Sequence, residues 1–200
     1  LSIKQNKKAI ILLKNLEDER LIGISYIILI NTYLVTGDYT QSIKYGKEAS
    51  DICRSLGMTN YLAKALVLMG ETYSRTGNYI DLKKNLNEAE PIAIDFNDTF
   101  IQAKINYLKA QYSLNKRDFK SALSHIDKSI EQFNLAQHTR FETQTLIEKL
   151  TLVIESGRLE NANAVITKIE HLINKLKGSY SNELFTASKY YFHATKGEIT

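Results

Sequence analysis

The chain has 200 residues, 44% of them hydrophobic, with a formal charge of +4 carried by interleaved acids and bases. That composition excludes a disordered polymer and offers no basic stripe of the kind nucleic-acid binding uses. The single cysteine, Cys53, excludes an internal disulfide and a cysteine-built zinc site.

In chain order, Ile3, Ala9, Ile10, Leu12, Leu13 and Leu16 form an apolar stripe that predicts an opening helix, with Lys4, Lys7, Lys8 and Lys14 largely off it. A second helix is expected from Asp18 to Thr36. Asp18 and Glu19 suit its positive end, and Gly37 supplies a left-handed stop. Leu21 to Val35 is the most apolar stretch, but a membrane span needs about 20 residues, so it reads as a buried helix. Asp38, with Gln41 three residues on, makes a capping-box-like start for a third helix that ends near Leu56-Gly57.

Thr59 or Asn60 opens the next helix, which stops at Gly77. Asn78 caps its partner, with Asp81 in the first turn. Pro91 falls late in that partner, where a missing N–H and ring crowding predict a kink or an early end. Asp98-Thr99 opens a helix that turns at Lys116-Arg117, and Asp118 caps one bearing Phe119, Ala122, Leu123, Ile126, Ile130 and Phe133. A further helix runs from near Thr139 to Gly157, followed by one carrying Leu159, Ala162, Val165, Ile166, Ile169 and Leu172. A last helix opens near Ser179 to Ser181 and reaches Lys196-Gly197.

A 40-residue period underlies these elements. Gly70, Tyr73, Gly77 and Tyr79 echo Tyr33, Gly37, Asp38 and Tyr39. The same step reaches Arg117-Asp118-Phe119, Gly157-Arg158-Leu159 and Gly197-Glu198-Ile199. A fixed period of this size marks stacked units that bury their apolar faces only against neighbours. The units are 17–57, 58–97, 98–137 and 138–178, flanked by a lone second helix at 1–16 and a lone first helix at 179–200. Both ends fall within a unit, so the chain is expected to be a piece of a longer array.

Paired helices with Gly and Tyr late in the first and small residues in the second resemble the tetratricopeptide repeat, over essentially the whole chain. The second unit matches with Gly70, Tyr73, Gly77-Asn78-Tyr79 and Ala89, and the first with Tyr33, Gly37-Asp38-Tyr39 and Ala49. The third keeps Ala110, Asp118-Phe119 and Ala122; the fourth keeps Gly157, Leu159 and Ala162. Ile30 and Leu150 depart from a small residue, Leu82 from an alanine, and Lys109, Lys149 and Lys189 from an apolar position. The resemblance implies an all-α, right-handed superhelical solenoid of antiparallel helix pairs, about nine helices in all. Units of this length look like those of large bacterial regulators and sensors and of some motor-protein light chains.

No catalytic constellation emerges. His125, His138, His171 and His193 are scattered, and Gly46-Lys47 lacks the rest of a phosphate loop. No catalytic residue, metal or cofactor is expected, although an attached output domain would be free to be enzymatic. The resemblance implies a concave groove lined by the first helix of each unit. Carried over by position, it gives Asn31, Leu34, Lys64, Glu71, Ser74, Arg75, Lys104, Tyr107, Gln111, Asn115, Gln144, Thr151 and Glu155. One column, Asn31, Glu71, Gln111, Thr151 and Tyr191, is polar or amphipathic throughout and suits an extended peptide backbone. Lys64 and Lys104 suit an acidic side chain; the plainer reading is a solvated helix face. Ile24, Ile27, Ile28, Leu34 and Val35 read either as core beneath a neighbouring helix or as an anchor for a partner.

The expected function is a non-catalytic protein- or peptide-binding scaffold, the regulatory or sensor segment of a larger bacterial signalling protein. The alternatives are a receptor for a short peptide or small molecule that controls an output domain, and, behind it, a nucleic-acid-binding helical repeat. Nucleic acid and membrane insertion are not expected. The cytoplasm is the expected compartment, with a periplasmic sensor segment as the alternative.

Overall fold

The computed structural model describes residues 3–176 and 180–196, with the side chains of 185–189, 192, 193, 195 and 196 in the last helix. Among them run α1 (Ile3–Asn15), α2 (Glu19–Thr36), α3 (Tyr39–Ser55), α4 (Thr59–Arg75) and α5 (Tyr79–Asp95). They continue as α6 (Thr99–Asn115), α7 (Phe119–Leu135), α8 (Thr139–Glu155), a 3-10 turn at Leu159–Asn161, α9 (Ala162–Lys175) and α10 (Tyr180–Thr195). The described residues thus form ten α-helices, where about nine were expected, in an all-α helical-repeat solenoid. Ser179 and Gly197-Glu198-Ile199 lie outside the described residues.

The helices from α3 to α8 are each 17 residues long, marginal alone in water and dependent on stacking. The turns repeat twice as often as the units. Glu17, Gly37, Gly57, Gly77, Asn97, Arg117, Gln137 and Gly157 all hold left-handed backbone, one every twenty residues. The residue after each donates its N–H five residues back around the turn: Asp38 to Tyr33, Asn78 to Tyr73, Asp118 to Ser113, Arg158 to Val153. That same residue is the N-cap of the next helix. Asp18, Asp38, Asn78, Asp98 and Asp118 each accept a backbone N–H through the side chain.

Arg158 occupies the position of Asp38, Asn78 and Asp118 and makes no such bond. The first turn after it tightens to a 3-10 turn before α9 begins. Pro91 does not end α5 early: the helix runs on past it to Asp95. Pro91 and Asn87, whose carbonyl loses its usual partner, both face solvent, so that carbonyl is open to water.

Each first helix packs antiparallel on its second helix, and apolar side chains fill the layer between. Ala49, Ala89, Ala110, Ala122 and Ala162 have no exposed surface. The first helices α2, α4 and α6 also touch in succession, whereas α3, α5 and α7 show no comparable contact among the described residues. The stack therefore bends with the first helices on its inner side. Ile22, Leu29 and Ile30 belong to the core of the first unit, whereas the run Ile24, Ile27, Ile28, Leu34 and Val35 divides: Leu34 is buried, Ile24 and Ile27 are half-buried, and Ile28 and Val35 stay exposed.

Lys109, Lys149 and Lys189, unexpected at an apolar position, each reach back to the preceding second helix. They pair with Glu90, Asp127 and Glu170. The same column holds the buried Leu29 and Met69 in the earlier units, so an apolar contact is replaced by an ion pair beside an aliphatic stem.

Candidate functional site

The inner side of α4, α6 and α8 carries two sets of paired polar side chains. Lys104 pairs with Glu71, which tethers α6 to α4. The Lys104 ammonium also lies 5.6 Å from the Phe100 ring centre and 5.1 Å from that of Phe141 on α8. Glu148 of α8 accepts hydrogen bonds from the Tyr107 hydroxyl and, at 2.7 Å, from the Gln111 amide. Four residues expected in the groove, Glu71, Lys104, Tyr107 and Gln111, thus take part in two polar links, one joining α4 to α6 and one joining α6 to α8.

Below Lys104 the rings form a cluster. Phe100 meets Phe141 edge-on at 5.2 Å, Phe133 stacks on Phe141, and His138 lies 4.3 Å from Phe100. Burial pushes the Glu148 carboxyl above its ordinary value, and the bonds from Tyr107 and Gln111 and the nearby Arg75 charge pull it partly back. Burial, then the Glu148 charge, holds the Tyr107 hydroxyl well above the usual phenol range. Tyr107 therefore keeps its proton and donates a hydrogen bond to Glu148.

Glu148 was missed in the groove reading, yet its signal stands in the sequence. In the three earlier units its column reads Ile28, Leu68 and Leu108. A carboxylate in an apolar column needs partners, and Tyr107 and Gln111 are those partners.

The other expected residues divide. Asn31, Arg75 and Gln144 are exposed along the inner helices, and Lys64 is half-buried with its ammonium 5.4 Å from the Tyr61 ring centre. Leu34 is only 6% exposed, so it lines no open groove: it belongs to the apolar face of α2. Thr151 turns its hydroxyl back to the Ile147 carbonyl of its own helix. Asn115 leaves the network and faces a separate cleft against α5. Lys104 is no free cation awaiting an acidic ligand, because Glu71 already holds it. The Tyr191 side chain lies outside the described residues.

Among the described residues no group of three His, Cys, Asp or Glu side chains is placed to hold a metal ion, and no helix is long and apolar enough to cross a membrane. Cys53 is buried, and burial raises its thiol above the ordinary value.

No protein-family model and no curated protein matches the sequence. Among solved structures the chain is similar to BtubC (BKLC) from P. vanneervenii, with a TM-score of 0.78 at 13% identity. The match covers 98% of this chain and 83% of that one. At that identity the likeness is one of fold: a helical solenoid of the same course.

Proposed function

We propose that the chain is a tetratricopeptide-repeat array that acts as a non-catalytic scaffold, holding an extended peptide or protein segment along its inner face. In this reading it is the regulatory or sensor segment of a larger bacterial signalling protein. The observation that carries it is the network of two polar links, Lys104 with Glu71 and Glu148 with Tyr107 and Gln111, that together tie α4, α6 and α8. Groups already held by one another lose little freedom when a ligand arrives. The exposed Arg75 and Gln144 lie on the same helices as this network and are free to engage a peptide main chain or its carboxylates.

Selection from a phage-displayed random peptide library tests the reading. A selected peptide is expected to lose about tenfold in affinity with Arg75→Ala or Gln144→Ala, on the scale of one lost charge-assisted hydrogen bond. Lys128→Ala, on the outer helix α7, should leave it unchanged. Failure to select any peptide, or a peptide indifferent to both inner-face variants, overturns the proposal.

A further inference from the structure

Between the first half of α5 and the last turn of α6 lies an open cleft of about 440 Å3. Lys83 and Lys84 enter it from α5 and Lys116 from the end of α6, with Tyr79, Tyr112 and Asn115 around them. No carboxylate lines it. None of the three lysines has an ion-pair partner among the described residues. Asp81, the acid close by on α5, is engaged by the Asn78 amide at 2.8 Å.

The contrast with a second cleft, on α7, α8 and α9, is direct. There Lys149 pairs with Asp127 and Lys168 with Glu142, so the charges cancel. In the α5–α6 cleft the Lys116 ammonium instead sits 4.6 Å from the Tyr112 ring centre. A hydrogen bond to Lys116, with the Lys116 and Lys83 charges, draws the Tyr112 hydroxyl below the usual phenol range, the mark of unbalanced positive potential. The repeat register continues the positive charge onto α3. Lys44 and Lys47 of α3 stand where α5 has Lys84 and Asn87, whereas α7 has Ser124 and Asp127.

We infer that the α5–α6 cleft is a second binding surface, separate from the inner face, that takes a carboxylate-rich segment of a partner protein. The three ammonium groups meet its carboxylates, the Asn115 amide its main chain, and the Tyr79 and Tyr112 rings form the walls.

The probe is a fluorescein-labelled hexaglutamate peptide, titrated by anisotropy at about 50 mM salt, where charge is little screened. Saturable binding is expected, weakened at least about tenfold by Lys83→Ala/Lys84→Ala/Lys116→Ala. Lys4→Ala/Lys7→Ala/Lys8→Ala on α1 removes the same charge and should leave affinity within about twofold. Gln144→Ala should also leave it unchanged, which keeps this surface distinguishable from the inner one. If the cleft triple variant melts early, Lys84→Gln alone decides, with an expected loss of about threefold. Absence of saturable binding, equal losses in both triple variants, or tighter binding of a short single-stranded DNA of matched length overturns the inference.

Discussion

Leu108 of α6 packs so closely over Gly70 of α4 that a β-carbon at position 70 would lie 3.2 Å from Leu108 Cδ1. One unit later the same two places hold Ala110 and Glu148. There the backbones of α6 and α8 draw apart, and polar side chains cross the space instead. Glu148 is therefore both the widest departure from the apolar column and the centre of the inner-face network.

The first prediction concerns the charge on Glu148. Burial holds its carboxyl above the ordinary 4.5, so the folded chain keeps that proton to higher pH than the unfolded chain. Its contribution to stability therefore falls as pH rises from about 4.5 through the folded value. Glu148→Gln retains an acceptor for Tyr107 and has no proton to lose. Urea unfolding should show the variant at least as stable as wild type at pH 7, with the decline above about pH 4.5 flattened. A steeper decline in the variant would contradict this account.

His125 acts in the opposite direction. Burial first, then the Lys109 and Lys128 charges, lower its ring below the ordinary 6.5, against a smaller pull from Glu90 and Asp118. Its Nδ1 lies 3.3 Å from Asn106 Oδ1. The unfolded chain takes up this proton first, so stability is lost as pH falls from about 6.5 through the folded value. His125→Gln should remove that loss, read as the difference between variant and wild-type melting temperatures from about pH 7 to 5.5.

Gly46 of α3 lies beneath Met69 of α4. A β-carbon there would come within 2.3 Å of Met69 Cγ and 2.7 Å of its sulfur. Gly46→Ala is expected to cost about 1–3 kcal/mol through overpacking, despite the better helix propensity of alanine. Adding Met69→Ala should recover part of that loss, a coupling that a double-mutant cycle in urea measures directly.

Arg158 stands where the other second helices have a capping Asp or Asn. Arg158→Asp should add about 0.5–2 kcal/mol and convert the Leu159–Asn161 turn to α-helix. Slower amide exchange at the start of α9 is the local readout.

The forty-residue period and the helix pairing were legible because Gly37 and Gly77, with their following caps, fall in one register with Gly157. The twenty-residue period of the turns was not. Glu17, Arg117 and Gln137 adopt the same left-handed backbone as those glycines with nothing in their residue type to announce it, and Asn97 gives only the weaker signal of a residue that tolerates it. Pro91 misled because its effect depends on whether the orphaned carbonyl faces water, which spacing alone did not reveal. The inner-face positions of α4 and α6 were readable by register, but their partnering was not. Whether Lys104 meets a ligand or Glu71 depends on how closely two helices approach. Leu34 failed for a related reason: an apolar residue at a groove position has no cause to stay in the groove when a core is within reach.

Every crossing between helices among residues 15–159 spends two or three residues and one left-handed backbone. No slack remains there for a hinge or for a loop that reaches out to a partner. An insertion of one or two residues would swing every later helix around its own axis, and one of twenty would exchange inner helices for outer ones. Only whole helix pairs can be added or removed without scrambling the faces. Evolution can therefore adjust the reach of such an array in counted steps, like beads on a rod, and must tune selectivity by exchanging side chains on surfaces whose spacing is already set.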